Sequence, residues 1–195
     1  MSKLSLAFVL TVAFAACAQA QMMMPFGLNG KVMLVETREV KKEIKLSPDQ
    51  DKQIQSLLKD AEKNASSYGL PDMHYMTRAL DQRLDSILNA DQSARLQQLF
   101  LQANGLLTLT EKNVSDALGI SDDVLNQAKA IIKTRDKDTM DAAMSVQKTK
   151  KFDQKKIDEI NKSANDALVA LLTAEQVEKW KSMQGAPFKF PKSGR

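Results

Sequence analysis

Two methionines and the chain's single histidine stand side by side in Met73-His74-Tyr75-Met76. Thioether sulfur is a soft ligand, and together with imidazole it suits Cu(I). Met22, Met23 and Met24 bring three more thioethers near the start of the chain. On a helix, Met73 and Met76 share a face at i,i+3, with His74 about 100° away. A plainer reading makes Met73 and Met76 core fillers and leaves His74 in solvent. Met73, His74 and Met76 are the metal candidates, and no other cofactor is implied.

Other chemistry is thin. With one histidine and one cysteine, both Ser/His/Asp and Cys/His catalysis would have to run through His74. Neither Gly-x-x-x-x-Gly-Lys nor Gly-x-Gly-x-x-Gly occurs, so no loop is marked for cradling phosphate. Carboxylates are spread beside lysines, as in Asp158 and Lys162 at i,i+4, which reads as surface pairing. Nothing marks a pair for general acid–base work, and the chain reads as a non-enzyme. Asn64-Ala-Ser66, Asn113-Val-Ser115 and Asn161-Lys-Ser163 fit the glycosylation sequon; all fall on expected helices and read as chance.

The formal charge is +4, too small for a nucleic-acid footprint. Lys148, Lys150, Lys151, Lys155 and Lys156 read as a solvated face. Residues 1–20 read as a signal peptide. Lys3 is its cation, Leu4 to Ala16 its apolar run, and Ala18-Gln19-Ala20 its small-x-small exit. That run is short for a bilayer span, so stable membrane insertion is not expected. The expected location is periplasmic or secreted, with cleavage after Ala20. Phe14-Ala15-Ala16-Cys17 offers an alternative, a lipoprotein acylated at Cys17. If Cys17 leaves with the signal, no disulfide can staple the fold, and helix packing must supply its stability.

The elements that would position any site are helical. Residues 21–31 lack periodicity and read as a disordered leader. Val32 to Lys45 fits a strand or a short helix, and its match to Glu111–Gly119 favours the helix. Ile54, Leu57, Leu58, Ala61 and Ala65 form one helical stripe. Met73 to Leu88 forms a second, and Leu96, Leu99, Phe100 and Ala103 a third, stopped by Asn104-Gly105. Three more stripes follow, ending at Trp180 and Met183 before Gly185 and Pro187. Met140 and Met144 extend a helix through part of the stretch 136–151. Phe188 to Arg195 reads as an extended basic tail.

Short segments recur. Val40, Ile44, Leu46, Ser47 and Asp49 match Val114, Leu118, Ile120, Ser121 and Asp123 at one constant spacing. Leu88-Asn89-Ala90-Asp91-Gln92 matches Leu172-Thr173-Ala174-Glu175-Gln176 at a spacing about ten residues longer. The chain therefore reads as all-α, a tandem duplication of a three-helix unit forming an elongated helical bundle. The expected boundaries are 32–105 for the first unit, 106–186 for the second and 187–195 for the tail. The recurring segment is a helix start. Ser47, Asn89, Ser121 and Thr173 suit the N-cap. Gln50, Gln92 and Gln176 stand three residues on and can close a capping box. Leu46, Leu88, Ile120 and Leu172 pack inward and fix the entry angle. Helix initiation explains the motif locally without any ligand.

Leu46-Ser47-Pro48-Asp49-Gln50 and Leu172-Thr173-Ala174-Glu175-Gln176 resemble the LTxxQ motif of the Spy/CpxP group of periplasmic proteins. Asn89 departs from that pattern at the Thr position, and Val124 at the Gln position. The duplicated unit with its Trp helix and Gly-x-Pro-Phe end also resembles uncharacterised secreted helical-repeat proteins. The Spy/CpxP resemblance implies a hairpin dimer shaped as a cradle, holding unfolded envelope proteins without ATP. Some members are linked to metal stress. Two concatenated units would mimic such a dimer within one chain. The expectation is an exported, non-enzymatic helical binding protein, an ATP-independent chaperone. A structural module with one dedicated envelope partner, or a copper-stress protein, are the alternatives. Its partners would be proteins (unfolded clients, an envelope partner, or a second copy in a homodimer), not nucleic acid.

Overall fold

A computed structural model describes residues 30–65, 73–149 and 153–191. The signal, Cys17 and Met22 to Met24 lie outside the described residues, as do the lipidation and leader-methionine readings that rest on them. The described chain is all-α, with no strand among the described residues. It divides into two compact units, Leu28–Phe100 and Leu101–Arg195.

In the first unit, α1 (Lys31–Val35) and α2 (Arg38–Glu43) precede α3 (Pro48–Ala65) and α4 (Met73–Ile87). Helix α5 (Ala90–Asn104) follows, and the division between units falls inside it. The Val32–Lys45 stretch is thus two short helices. The stretch read as leader ends in structure, since Gly30 is buried and Lys31 opens α1. Val32, Val35, Val40, Ile44, Ile54, Leu57, Leu84, Leu96 and Leu99 form the buried apolar set of this unit. Removing one such side chain, as in Leu84→Ala, would cost about 2–5 kcal/mol.

The second unit opens with a 3₁₀ segment, Gly105–Thr110, then α6 (Lys112–Leu118) and the long α7 (Asp122–Thr149). Helices α8 (Gln154–Ala170) and α9 (Ala174–Met183) complete it. Its core joins Leu101, Leu106, Leu109, Val114, Leu118, Ala128, Leu168 and Trp180. The division lies at 100/101, not at the 105/106 junction expected from Asn104-Gly105. The last turn of α5 explains the difference. Leu101 belongs to this core, and Gln102 reaches the chain beyond α9.

The part of the tail from Pro187 to Pro191 is fastened to the last turn of α5. Gln102 Nε2 donates to the carbonyls of Gln184 and Ala186 at 2.7 and 2.9 Å. Its Oε1 accepts from the Phe188 N–H at 2.8 Å. A buried amide can satisfy three backbone groups in this way. Phe188 and Phe190 stack edge to face, with centroids 4.9 Å apart.

The surface pairing differs in detail from expectation. Lys162 pairs with Asp166 at 2.5 Å, one turn on, and not with Asp158. Asp158 is taken by Gln154 Nε2 at 2.8 Å.

The two units share buried positions at the spacings of the sequence repeats. Val40 and Val114, Ile44 and Leu118, and Ile54 and Ala128 are buried pairs at the shorter spacing. Leu84 and Leu168, and Leu96 and Trp180, are buried pairs at the longer one. The local backbone recurs as well. Leu46 N–H donates to Lys41 O and Ile120 N–H to Ser115 O, both at 2.9 Å. Lys45 and Gly119 between them are left-handed, at φ 52° and 64°. Each is the αL residue that closes a helix end.

Candidate functional site

The helix-start residues hold the framework. Ser47 Oγ accepts from Gln50 N–H at 3.2 Å, and Gln50 Oε1 accepts from Ser47 N–H at 3.1 Å. Asn89 Oδ1 accepts from Gln92 N–H, and Gln92 Oε1 from Asn89 N–H, both at 2.9 Å. Thr173 and Gln176 close a capping box at 3.0 and 3.2 Å. Ser121 only accepts from Val124 N–H, at 3.4 Å, because Val124 cannot return the bond.

Helix initiation is not the whole role of these glutamines. Each amide keeps two donors after its oxygen has capped a helix. Gln50 Nε2 donates to Gln92 Oε1 at 2.7 Å, and Gln92 Nε2 donates back to Gln50 Oε1 at 2.9 Å. The same groups reach Ile87 O at 2.9 Å and Lys45 O at 3.2 Å. The starts of α3 and α5 are thereby pinned together and to the ends of α4 and α2. Gln176 has no glutamine opposite it. Its Nε2 donates to Leu118 O and Gly119 O at 3.2 and 3.4 Å, tying α9 to the end of α6. Of the entry residues, Leu88 is buried, while Leu46, Ile120 and Leu172 are half-buried.

A second anchor escaped the sequence reading. Asp81 on α4 accepts from the N–H groups of Lys31 and Val32 at 3.1 and 2.9 Å. It caps α1 from a neighbouring helix, where Gly30 has no side chain to do so. Gly30 permits the approach, since a Cβ there would collide with Thr77 Cγ2. Burial pushes the Asp81 carboxyl above its ordinary value, against the opposing pull of the two N–H groups and of Lys31. Lys31 Nζ itself pairs with Asp85 at 2.9 Å. Between α2 and α3, the hydrogen bond that Lys41 Nζ donates to Asp51 Oδ1 at 2.8 Å raises the pKa of the Lys41 ammonium.

Met73, His74 and Met76 lie in the first turns of α4. Their side chains lie outside the described residues, and so does the copper reading that depends on them. Among the described residues, no three His, Cys, Asp or Glu side chains converge on one point.

Between α7 and α8 runs an open groove of about 630 Å³. Its floor is apolar: Ile131 and Ile160 are half-buried, and Ala130, Ala164 and Ala167 keep it shallow. Its rim carries Arg135, Asp138, Lys156 and Glu159. Arg135 Nε donates to Asn161 Oδ1 at 2.9 Å, which sets the register of the two helices. The sequence marked these apolar positions as helix stripes. Only the packing of α7 on α8 distinguishes the part of the stripe left open from the part that is covered.

Among the described residues no helix is long and apolar enough to cross a membrane. Comparison with protein-family models, with curated proteins and with solved structures returned no match.

Proposed function

We propose that this chain is a non-enzymatic helical binding protein whose second unit takes up apolar protein segments in the α7/α8 groove. One observation carries the reading: a shallow apolar floor, Ile131 and Ile160 with three alanines, lies open between two regular helices. An amphipathic segment laid into such a groove buries its apolar face without any rearrangement of the host. The capping nodes and the Gln102 clamp suit a rigid scaffold, which lowers the ordering cost of binding.

We further infer a tandem duplication. The recurring buried pairs and the matched left-handed residues Lys45 and Gly119 support it. In this reading the first copy kept a framework closed by the Gln50–Gln92 pair. The second copy, with Val124 where the first has Gln50, lengthened its hairpin and acquired the groove.

The Spy/CpxP resemblance makes an exported, ATP-independent chaperone the specific form of this proposal. Export itself rests on the 1–20 segment of the sequence. A dedicated envelope partner is the second reading, favoured by a rim that mixes acid and base at fixed positions. Suppression of aggregation separates the two. Without nucleotide, the chaperone reading expects the protein to suppress aggregation of several unrelated unfolding proteins. It also expects Ser163→Trp, which fills the groove from an exposed lining position, to abolish the effect. Failure on every protein tried, with the fold intact, would remove the chaperone reading.

A further inference from the structure

We infer that the α7/α8 groove takes its occupant as a short amphipathic α-helix, with one basic residue set toward Asp138 and one acidic residue toward Lys156. This rests on the reading of the groove as a protein-docking face, and it adds the occupant's conformation, length and charge pattern.

Backbone chemistry selects the helix. No strand lies among the described residues, so an extended segment finds no sheet edge with which to pair. The N–H and C=O groups of both walls are spent along their own helices. An extended segment pressed onto this apolar floor would strip water from its own backbone groups and gain no partner for them. A helix bonds its backbone internally and needs only side-chain contacts. The floor suits one. Ala130, Ala164 and Ala167 allow a close approach, and Ile131 and Ile160 are the large residues that its ridge straddles. Along α8 the lining runs from Lys156 to Ala167, about 16 Å at about 1.5 Å per residue. That length holds a helix of about three turns, with a large apolar residue from each turn on the buried face.

Charge sets the direction. Asp138 stands on the α7 lip and Lys156 on the α8 lip, both exposed. Their neighbours are engaged: Arg135 pairs with Asp136 at 2.9 Å and Glu159 with Lys155 at 3.8 Å. Asp138 and Lys156 hold no ion pair among the described residues. Arg135 and Asn161 set the helix register. Asp138 lies three residues beyond Arg135, and Lys156 lies five before Asn161. Both therefore project toward the same end of the groove, at heights differing by about 3 Å at about 1.5 Å per residue. A docked helix turns one flank to each lip. Reversing it swaps the flanks and carries its charges to the far end, where Ala130 and Ala167 offer no partner. Only one direction pairs both charges.

The test uses three fluorescent peptides of about eleven residues and the full chain, read by anisotropy at low salt. The first has leucines one turn apart on one face, alanines between them, and a lysine and a glutamate on opposite flanks of one end. The second exchanges that lysine and glutamate. The third is the first with two central alanines replaced by proline, which cannot stay helical. The better of the two helical peptides should bind about tenfold or more tighter than the proline peptide. The two charge arrangements should differ about threefold or more, and Asp138→Lys/Lys156→Asp should reverse the preference. Circular dichroism checks that the variant keeps its helices. A proline peptide that binds as well as the helical ones, or a preference that the double variant leaves unreversed, would overturn the inference. So would helical peptides that fail to bind. If a reduced and alkylated carrier protein still binds in that case, and Ser163→Trp abolishes its binding, the docking role of the groove survives without the helical occupant.

Discussion

Gln50 and Gln92 exchange side-chain hydrogen bonds in both directions, at 2.7 and 2.9 Å, while each also caps its own helix. Such a node is cooperative, because losing one amide leaves the other short of a partner. Gln92→Ala should destabilise the protein by about 1–3 kcal/mol, since it strips the Asn89 N–H and the Lys45 carbonyl of partners. The double variant Gln50→Ala/Gln92→Ala should cost less than the sum of the singles. Urea unfolding of the four proteins gives the coupling, expected at about 0.5–3 kcal/mol. Strict additivity would mean that the two amides act independently.

Lys45 and Gly119 occupy the same left-handed corner in the two units. A lysine there carries the steric cost that glycine avoids. Lys45→Gly should therefore raise stability by about 0.5–1 kcal/mol, and Gly119→Ala should lower it by about 1 kcal/mol. Thermal unfolding of both variants decides. A destabilised Lys45→Gly would show that the lysine side chain supplies more than its backbone costs.

Asp81 gives a pH dependence of unusual sign. Its folded carboxyl lies above the ordinary value because burial disfavours the charge. The folded protein therefore takes up this proton at a higher pH than the unfolded chain. The resulting contribution is complete below the ordinary aspartate range and is lost as pH rises through the folded value. Within that window, acidification should favour the fold at this site. Titration of the Asp81 carboxyl carbon by NMR checks it, and a midpoint below the ordinary aspartate value would refute it.

The Gly30 contact is a steric matter. Gly30→Ala should cost about 1–3 kcal/mol through the collision with Thr77. The check is a chemical-denaturation midpoint. An unchanged midpoint would mean that α1 can shift on α4 at no cost.

The caps predict a graded series. Thr173→Ala breaks a complete capping box and should cost about 1 kcal/mol. Ser121→Ala removes a single 3.4 Å bond and should cost less. Melting temperatures of the two variants measure the order, and a reversed order would contradict the geometry.

Much of this fold was legible in the chain. The apolar spacing around Ile54, Leu84, Leu96 and Leu168 marked helices and their buried faces, because a 3.6-residue period allows little else. Gly105 and Gly185 marked helix ends, and both take left-handed φ values. Thr173 and Gln176 marked a helix start at single-residue accuracy. What stayed hidden was long-range. Gln50 and Gln92 were each visible as cap partners, yet nothing local says that residues so far apart exchange hydrogen bonds. Asp81 carries no local signal, since its partners are the backbone N–H groups of a segment 49 and 50 residues away. Lys162 had acids one turn away on both sides, and sequence spacing alone could not choose between them. The groove was hidden for the same reason. Ile131 and Ile160 belong to ordinary core stripes, and only the packing of α7 against α8 reveals which turn is left uncovered.

The most direct measurement is hydrogen exchange of the full chain with and without a permanently unfolded, reduced and alkylated carrier protein. Binding in the groove predicts added protection over residues 130–138 and 156–167 and little change across the node at Gln50 and Gln92. Protection elsewhere, or none at saturating carrier, would contradict a docking role for this groove.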